Sequence, residues 1–472
     1  MRDFAGFVLR LAICWVNLIL PAVLSSYCFG ESYYVSPTGS GTECGISTPC
    51  SLDYGVSTLN LQPGDVLILQ PGTYTRSNSP ILEITKGGSA GNYICYRASD
   101  YSGNGNVTRS RAVILSAGAR THGIRVHADY VRLQGIKVVG NDFGASGGAF
   151  NVGNEGYADP TRQFHDIIIE DCEVYHVKNS GFHNTTAAYN VEVRYCWVNG
   201  TGYGEWWGEA FYTGNKTDPA LTIHDYKVHH NTIQDFTQNA FDVKKYASNV
   251  EFYNNRAFDF RDCLSGDRPG VNCSRQRNEG WIELSGHDNS AYNNICSRGK
   301  TGYGLVAIQG NSNNRIYNNV FTDMVSVTPA CVAIKSINSD IAENGTDSYV
   351  YNNTFFNCLR SDIGDPDDTR FLVKNNIGID YRDNVAASDV RAAWFVNPSA
   401  YDFHLASSAP GTVIDAAKVE PYSTTDLDGT PIFNGIRDRG AYEFTPGKPG
   451  SQTSAQSKPI AQTSATSYTG DE

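Results

Sequence analysis

The chain has 472 residues and a formal net charge of −12 at pH 7, and only 18% of its residues are charged. The acidic balance argues against nucleic acid or an anionic membrane as a partner, and an acidic substrate would need a local basic groove or a bridging cation. Gly is abundant, Met is nearly absent and no long amphipathic helical pattern follows residue 30, which together favour a large all-β fold.

The N-terminal segment has the features of a secretory leader. Arg2 and Arg10 flank a short apolar stretch, and small residues follow it around Ser26. We predict a signal peptide over residues 1–30, cleaved near Ser26 or Gly30, and a secreted, extracellular protein. A signal anchor is the alternative, and no later stretch is long and apolar enough to span a membrane.

A repeat organises the second half of the chain. Asn-Asn pairs recur there, most of them after a Tyr, and the short steps between pairs are 23 to 25 residues long. The pairs are Asn254-Asn255, Asn293-Asn294, Asn318-Asn319, Asn352-Asn353 and Asn375-Asn376. Each follows an alternating, β-rich run, so the pattern predicts short strands with Asn at the turn of a solenoid. Stacked one per coil, the amides would form a ladder, whereas the alternative is a series of unrelated Asn-rich turns.

A second short strand follows each ladder position by about ten residues. Aligned on their apolar residues, these strands give one outward column of His183, Tyr212, Asp242, Glu283, Ala307 and Ala333. The neighbouring column contains Thr185, Gly214, Lys244, Ser285, Gln309 and Lys335. Since adjacent coils lie about 4.8 Å apart, we expect His183, Tyr212, Asp242, Lys244 and Glu283 to share one solvent-facing catalytic patch.

These residue types suit the cleavage of a uronic-acid polymer by β-elimination. That reaction needs the sugar carboxylate neutralised, the C5 proton removed and the leaving oxygen assisted. Lys244, held between the carboxylates of Asp242 and Glu283, would stay charged and neutralise the carboxylate of the sugar. Tyr212 or His183 would then take the C5 proton. The alternative is a solvated face with ion pairs.

Residues around the patch are candidates for substrate binding. Trp206 and Trp207 lie in a loop and could stack on sugar faces or simply pack against the coil. Gln309 and Lys335 continue the second column and are further candidates.

The cysteines predict a disulfide framework, as expected of a secreted chain. Cys44–Cys50 and Cys263–Cys273 would be local clips, and Cys172–Cys196 would bridge adjacent coils because they take the same place in successive repeats. Cys331–Cys358 is a possible fourth pair, which leaves Cys95 and Cys296 either free or paired with each other.

Asn-x-Ser/Thr sequons and the C-terminal composition predict surface modification. The candidate glycosylation sites are Asn106, Asn184, Asn199, Asn215, Asn272 and Asn344. Residues 445–472 are rich in Ser, Thr, Gln and Pro, so we predict a disordered tail without a lipid-anchor signal.

Motifs at both ends of the body carry a family resemblance. They are residues 33–39 (YYVSPTG), 63–69 (PGDVLIL) with 72–74 (GTY), 91–98 (GNYICYRA), 426–429 (DLDG) and 437–443 (RDRGAYE). The chain resembles right-handed parallel β-helix proteins of the pectate-lyase-like superfamily, especially polysaccharide lyases of the family 9 pectate lyase type. The resemblance implies a right-handed parallel β-helix over residues 31–444. It is specific for the fold and weak for the reaction.

The resemblance also implies a calcium site, from which this sequence departs. Those lyases carry clustered aspartates, and here only Asp259 and Asp262 correspond, without the aspartate doublet. Asn239 stands about where the first aspartate would be. Calcium, held by Asp259 and Asp262, is therefore an expectation from the resemblance alone.

Several functions remain open on the sequence alone. A lyase acting on an extracellular, pectate-like polysaccharide is favoured, from the resemblance more than from the residues, and a monomer is expected. A glycoside hydrolase could use Asp242 and Glu283 as a carboxylate pair. A uronate epimerase would share the lyase chemistry, and a non-catalytic carbohydrate-binding or adhesive solenoid is the third class.

Overall fold

The computed structural model describes residues 28–75, 80–103, 113–116, 122–140, 148–155, 157–184, 186–202, 208–215, 218–260, 281–301, 306–308, 313–326, 332–334, 348–358, 371–418, 424–432 and 435–446. Over these ranges the chain winds through three parallel sheets, one strand of each per coil, in the right-handed parallel β-helix that the sequence predicts. The described part contains no helix that is long and apolar enough to cross a membrane.

The three sheets differ in where they lie in each coil. Sheet 1 begins each coil and contains Ser32–Val35, Val66–Leu69, Ile94–Ala98, Val131–Gln134, Phe164–Glu170, Ala188–Arg194, Ile223–His229, Ala247–Tyr253, Ser290–Tyr292, Arg315–Tyr317, Ser348–Tyr351 and Phe371–Lys374. Sheet 2 follows and contains Gly72–Tyr74, Val113–Ser116, Lys137–Val139, Glu173–Tyr175, Trp197–Asn199, Thr232–Phe236, Arg256–Phe260, Ile295–Thr301, Val320–Ser326 and Thr354–Phe356.

Sheet 3 completes the coil and contains Leu82–Ile84, Ile124–Val126, Phe150–Val152, Phe182–Asn184, Phe211–Thr213, Phe241–Val243, Ile282–Leu284, Val306–Ile308 and Val332–Ile334. The remaining elements are short. A π-helical turn spans Tyr54–Thr58, and 3₁₀ turns span Ala387–Asp389, Ala392–Trp394 and Pro398–Ala400. The strands Phe395–Asn397 and Asp402–Leu405 form a small antiparallel pair near the C-terminus.

The two residues of each Asn-Asn pair have different tasks at the turn between sheets 1 and 2. The first adopts a left-handed backbone conformation, as at Asn254 (φ 55°) and Asn318 (φ 54°), which Asn tolerates better than most residues. The second is buried, and its side-chain amide donates to the next coil. The Nδ2–Oδ1 distances are 2.9 to 3.0 Å along the series Asn231, Asn255, Asn294, Asn319, Asn353 and Asn376.

Aromatic stacking fills the tube behind sheet 3. Phe150, Phe182, Phe211 and Phe241 point inward from successive coils, with ring centroids 4.8, 4.7 and 5.8 Å apart. All four are fully buried. Burying each ring contributes on the order of 2 to 3 kcal/mol, so this column is a main source of stability and fixes the register of sheet 3.

The cysteines follow the predicted pairing only in part. Cys44 and Cys50 form a disulfide, as predicted. The prediction of a Cys172–Cys196 bridge is wrong, because both are buried thiols whose Sγ atoms turn towards backbone carbonyls, of Glu170 at 3.4 Å and of Arg194 at 3.3 Å.

Cys95 is bonded to Cys28, and neither free nor paired with Cys296 as the sequence suggested. A cleavage at Gly30 would remove Cys28, so this bridge is incompatible with that predicted cleavage position. Cys358 is unbridged, while Cys263, Cys273 and Cys331 lie outside the described residues.

The C-terminal residues close the last coil. Asn384 takes the place of a further ladder residue, accepting from Nδ2 of Asn376 at 2.8 Å and donating to the carbonyl of Val373 at 3.1 Å. The segment 424–446 then folds over this end, with the Asp426 carboxylate accepting from backbone amides that include that of Glu443. The signal peptide and tail lie almost wholly outside the described residues and stay predictions.

Removing one rung of the ladder should destabilise the protein. The side-chain amide of Asn319 forms hydrogen bonds with buried groups of both neighbouring coils. Asn319→Ala leaves those groups without a partner, which costs about 1 to 3 kcal/mol. Urea unfolding would measure this loss, with the exposed Asn60→Ala as the control. An unchanged unfolding midpoint for Asn319→Ala would show that the ladder contributes nothing.

A second prediction concerns pH. His404 lies between Asp402 and Asp428, at 2.6 and 2.7 Å. Burial opposes its charge, but the hydrogen bonds to both carboxylates dominate and raise the pKa of His404 to about 9. A histidine whose pKa is higher in the folded state stabilises fully below about pH 6.5, and this contribution disappears as the pH rises through 9.

The contribution of His404 to the free energy of unfolding should therefore fall by about 1 to 3 kcal/mol between pH 6.5 and 9.5, in addition to the fall that other groups cause. His404→Gln should lack this decline, whereas the exposed His287→Gln should keep it. Equal slopes for the parent and His404→Gln would contradict the assignment.

Candidate functional site

The outward column predicted on sheet 3 is present in the expected register. His183 pairs with Tyr212, Tyr212 with Asp242, and Asp242 with Glu283, followed by Ala307 and Ala333. Their strand neighbours, which include Phe241, Val243 and Leu284, belong to the core, so the column and Lys244 use the opposite face. We call His183, Tyr212, Asp242, Lys244 and Glu283 the charged strip.

The charged strip is not solvent-facing, and that part of the prediction is wrong. Asp242 is 0% exposed, Lys244 and Glu283 are 4% exposed, and Tyr212 and His183 are also buried. Burying charges is costly unless they are paired, and the pairing here explains how the strip is tolerated.

Lys244 joins the two carboxylates of the strip. Its Nζ lies 2.6 Å from Oδ2 of Asp242 and 3.3 Å from Oε1 of Glu283. The same Nζ lies 5.2 Å from the centre of the Tyr212 ring, within the range of a cation–π contact. One cation thus serves two carboxylates and an aromatic ring.

Asp242 is the most perturbed group of the strip. Burial raises its pKa to about 8, against the charge of Lys244, and the carboxylates of Glu283 and Glu209 raise it further. Asp242 is therefore largely protonated at neutral pH. Its Oδ1 is buried and has no hydrogen-bond partner among the residues that the structure describes.

His183 and Tyr212 stack on each other, with ring centroids 5.1 Å apart. Burial, together with the nearby His122, lowers the pKa of His183 to about 4, so the imidazole is neutral at pH 7. Its Nδ1 is buried without a partner in the described part of the chain. Burial raises the pKa of Tyr212, which keeps its phenol protonated. A neutral imidazole and a phenol are a potential base and acid.

Glu209 belongs to this site and was missed from the sequence. It is buried three residues before Tyr212, accepts from the Ser180 hydroxyl at 2.9 Å, and contributes to the raised pKa of Asp242. Asn239 holds the same position before Asp242 on the next coil. That shared offset in the repeat could have identified Glu209.

The outward column also extends further towards the N-terminus than the sequence suggested. Glu83, Arg125 and Asn151 pair in register, and Asn151 donates to the backbone carbonyl of His183 at 2.7 Å. The signal was available, because residues 82–84 and 124–126 have the same apolar–polar–apolar frame as the strands of the strip.

The residues proposed for calcium do not form a site in the described part of the chain. Both carboxylate oxygens of Asp259 accept from the guanidinium of Arg298, at 2.8 and 3.1 Å, so its charge is already compensated. No three His, Cys, Asp or Glu side chains in the described ranges converge as metal ligands. Asp262 lies outside these ranges, and a calcium requirement stays a prediction.

One proposed glycosylation site is contradicted by burial. Asn184 is 1% exposed, its Nδ2 donates to the Tyr226 hydroxyl, and its Oδ1 accepts from the amide of Val152, so it cannot carry a glycan in this fold. Asn199 and Asn215 are half-buried and stay candidates. Asn106, Asn272 and Asn344 lie outside the described residues, as do Trp206, Trp207, Gln309 and Lys335.

Comparison with solved structures confirms the fold. The chain is similar to the pectate lyase Pel9A, with a TM-score of 0.54, 15% identity, and coverage of 89% of this chain and 98% of that one. It is also similar to a rhamnogalacturonan lyase, with a TM-score of 0.52, 15% identity, and coverage of 78% and 91%. No family model and no curated protein matches the sequence. At this identity the likeness establishes the parallel β-helix fold alone and not the reaction.

The protonation of Asp242 can be tested through stability. Because its pKa is raised from 3.8 to about 8, the folded state holds a proton that the unfolded state releases, and stability falls as the pH rises from 4 to 8. Asp242→Asn removes this penalty. It should match the parent near pH 4 and be more stable at pH 8, by up to a few kcal/mol.

Thermal unfolding of both proteins from pH 4 to pH 8 would measure the difference. Asp225→Asn is the control, because Asp225 is an exposed aspartate that pairs with His224. A parent that gains stability relative to Asp242→Asn over this range would show that Asp242 is ionised in the folded state.

Proposed function

We propose that this protein is a secreted polysaccharide lyase that cleaves a uronic-acid-containing, pectate-like polymer by β-elimination at the charged strip. The observation that carries the proposal is the arrangement on one face of a neutral imidazole, a protonated phenol and a lysine that bridges two carboxyl groups, of which that of Asp242 is protonated. The buried, unpartnered Nδ1 of His183 and Oδ1 of Asp242 support it, because such atoms are rare unless a ligand completes them.

Each group has a role that its protonation state permits. His183 removes the C5 proton, the C4–O4 bond breaks as the C4–C5 double bond forms, and Tyr212 donates its proton to the leaving oxygen. Protonated Asp242 and Lys244 donate hydrogen bonds to the sugar carboxylate and stabilise the negative charge that develops on it. Glu283 keeps Lys244 in place.

The two disulfides among the described residues fit an oxidising, extracellular location for such an enzyme, since these bonds persist mainly outside the cytosol. An extracellular polysaccharide as the partner and a monomeric state complete the proposal.

A glycoside hydrolase is the second candidate, and one observation favours it. Asp242 is held protonated and lies beside Glu283. Glycoside hydrolysis uses such a pair, in which a protonated carboxyl group acts as the acid next to a second carboxyl group. Against it, Nζ of Lys244 contacts both carboxylates and so lies close to where the scissile bond of a retaining enzyme would have to enter.

An assay of product chemistry separates these candidates. Pectate, alginate and rhamnogalacturonan would be incubated with the protein, with and without added Ca²⁺ or a chelator. A lyase gives new reducing ends together with the ultraviolet absorbance of the new double bond, whereas a hydrolase gives reducing ends alone. Binding without new ends would identify a non-catalytic solenoid, and a change in uronate composition without cleavage would identify an epimerase.

Variants test the residue roles. His183→Gln should lower turnover by about 10²- to 10⁴-fold through loss of the base, and the apolar Lys244→Met should also abolish most activity. Lys244→Met leaves the buried carboxyl groups of Asp242 and Glu283 without the cation that bridges them, so its folding should be checked by circular dichroism and a thermal midpoint. A folded His183→Gln enzyme with full turnover would overturn the assignment of the base.

A further inference from the structure

Arg125 differs from the other arginines in the described part of the chain. Those arginines form a hydrogen bond, an ion pair or a ring contact, such as Arg162 with Asp129 and Arg298 with Asp259. Arg125 forms none with any described residue, and its Nε is buried without a partner. A half-buried guanidinium that has no hydrogen-bond partner among the described residues of an acidic protein is a candidate for binding an anion.

The position of Arg125 connects it to the charged strip. Ile124 and Val126 on either side are core residues, so Arg125 uses the outward face of sheet 3. It pairs in register with Asn151, which in turn bonds the backbone of His183. Arg125 thus lies two coils from His183 on the same face, about 10 Å away at the spacing of parallel strands.

The acidic groups near Arg125 are engaged elsewhere. Glu83 lies 3.3 Å from Nδ1 of His127, and Glu155 lies 3.3 Å from Nε2 of His122 while accepting from Asn151 at 3.2 Å. Burial, together with Arg125, lowers the pKa of His127, which is therefore neutral at pH 7. Within the described part of the chain, the donors of Arg125 therefore remain available to a ligand.

We infer that Arg125 forms a subsite for a carboxylate of the substrate, separate from the sugar that reacts at His183. A guanidinium binds a carboxylate in a bidentate fashion, and a uronic-acid polymer presents a carboxylate on each of its charged residues. Asn151 lies between Arg125 and His183 in the same column, so the two sites are separated by one coil. This inference rests on the proposed function and adds that recognition requires a second charged sugar residue.

The subsite is tested by binding. Isothermal titration calorimetry would use hexamers of galacturonate and of mannuronate, and the same hexamers with their carboxyls reduced to alcohols. Arg125→Gln should weaken binding of the hexamer that the parent prefers by about 10- to 100-fold, as expected for a charge-assisted hydrogen bond. Arg125→Lys should recover part of the affinity. Arg162→Gln, which removes an arginine paired with Asp129, is the matched control and should bind like the parent.

Kinetics supply a readout that a structural role would not give. Arg125→Gln should raise KM with kcat nearly unchanged and an unaltered thermal midpoint, since the residue does not contact the reacting atoms. Equal affinities of the parent and Arg125→Gln for the charged hexamers would overturn the subsite. It would also be overturned if Arg125→Gln lost as much affinity for the carboxyl-reduced hexamers as for the charged ones.

Failure of the subsite and failure of the proposed function are distinguishable. A parent that cleaves a uronate polymer while Arg125→Gln shows an unchanged KM overturns the subsite alone. A parent that neither binds nor cleaves any of the uronate hexamers or polymers overturns both.

Discussion

The structure depends on one constraint: each strand residue of a coil lies directly next to the residue at the same position in the following coil. Parallel pairing holds successive strands about 4.8 Å apart, so identical side chains must be compatible with their own repetition. Asn and Phe meet this condition because amides donate and accept in series and rings stack. The interior is therefore a set of one-dimensional columns, and stability accumulates coil by coil.

The same constraint makes charge expensive wherever it enters a column. Asp242 and Glu283 are register neighbours, and like charges at that distance repel unless a cation or a proton intervenes. The protein uses both, since Lys244 bridges the pair and Asp242 holds a proton at neutral pH. Such an arrangement costs stability, because charged groups lose their hydration when they are buried.

Register could be predicted from the sequence because it follows from apolar spacing. The frames around Phe211, Phe241 and Ile282 place Tyr212, Asp242 and Glu283 in one column, as the structure shows. Burial of that column could not be predicted, because strand periodicity fixes the face of a side chain but not what packs over it.

Other features were missed for similar reasons. The repeat brings Cys172 and Cys196 to adjacent coils but does not determine where each thiol turns, and the pairing of Cys28 was missed because this residue lies within the predicted leader. Arg125 was missed because the N-terminal coils lack the Asn-Asn phrase that marks the later ones. The missed residues therefore lie at the ends of the repeat or depend on contacts between side chains that the period does not encode.

The closure of the last coil by Asn384 has a consequence for the behaviour of the molecule in solution. A parallel sheet that simply stopped would expose a row of unpaired backbone groups, which can template the addition of another chain. Here a side chain only eight residues beyond Asn376 imitates the missing coil, and the segment after it covers the edge. The tube is thereby prevented from growing end to end into fibres at this end, so its finite length is set by its own sequence.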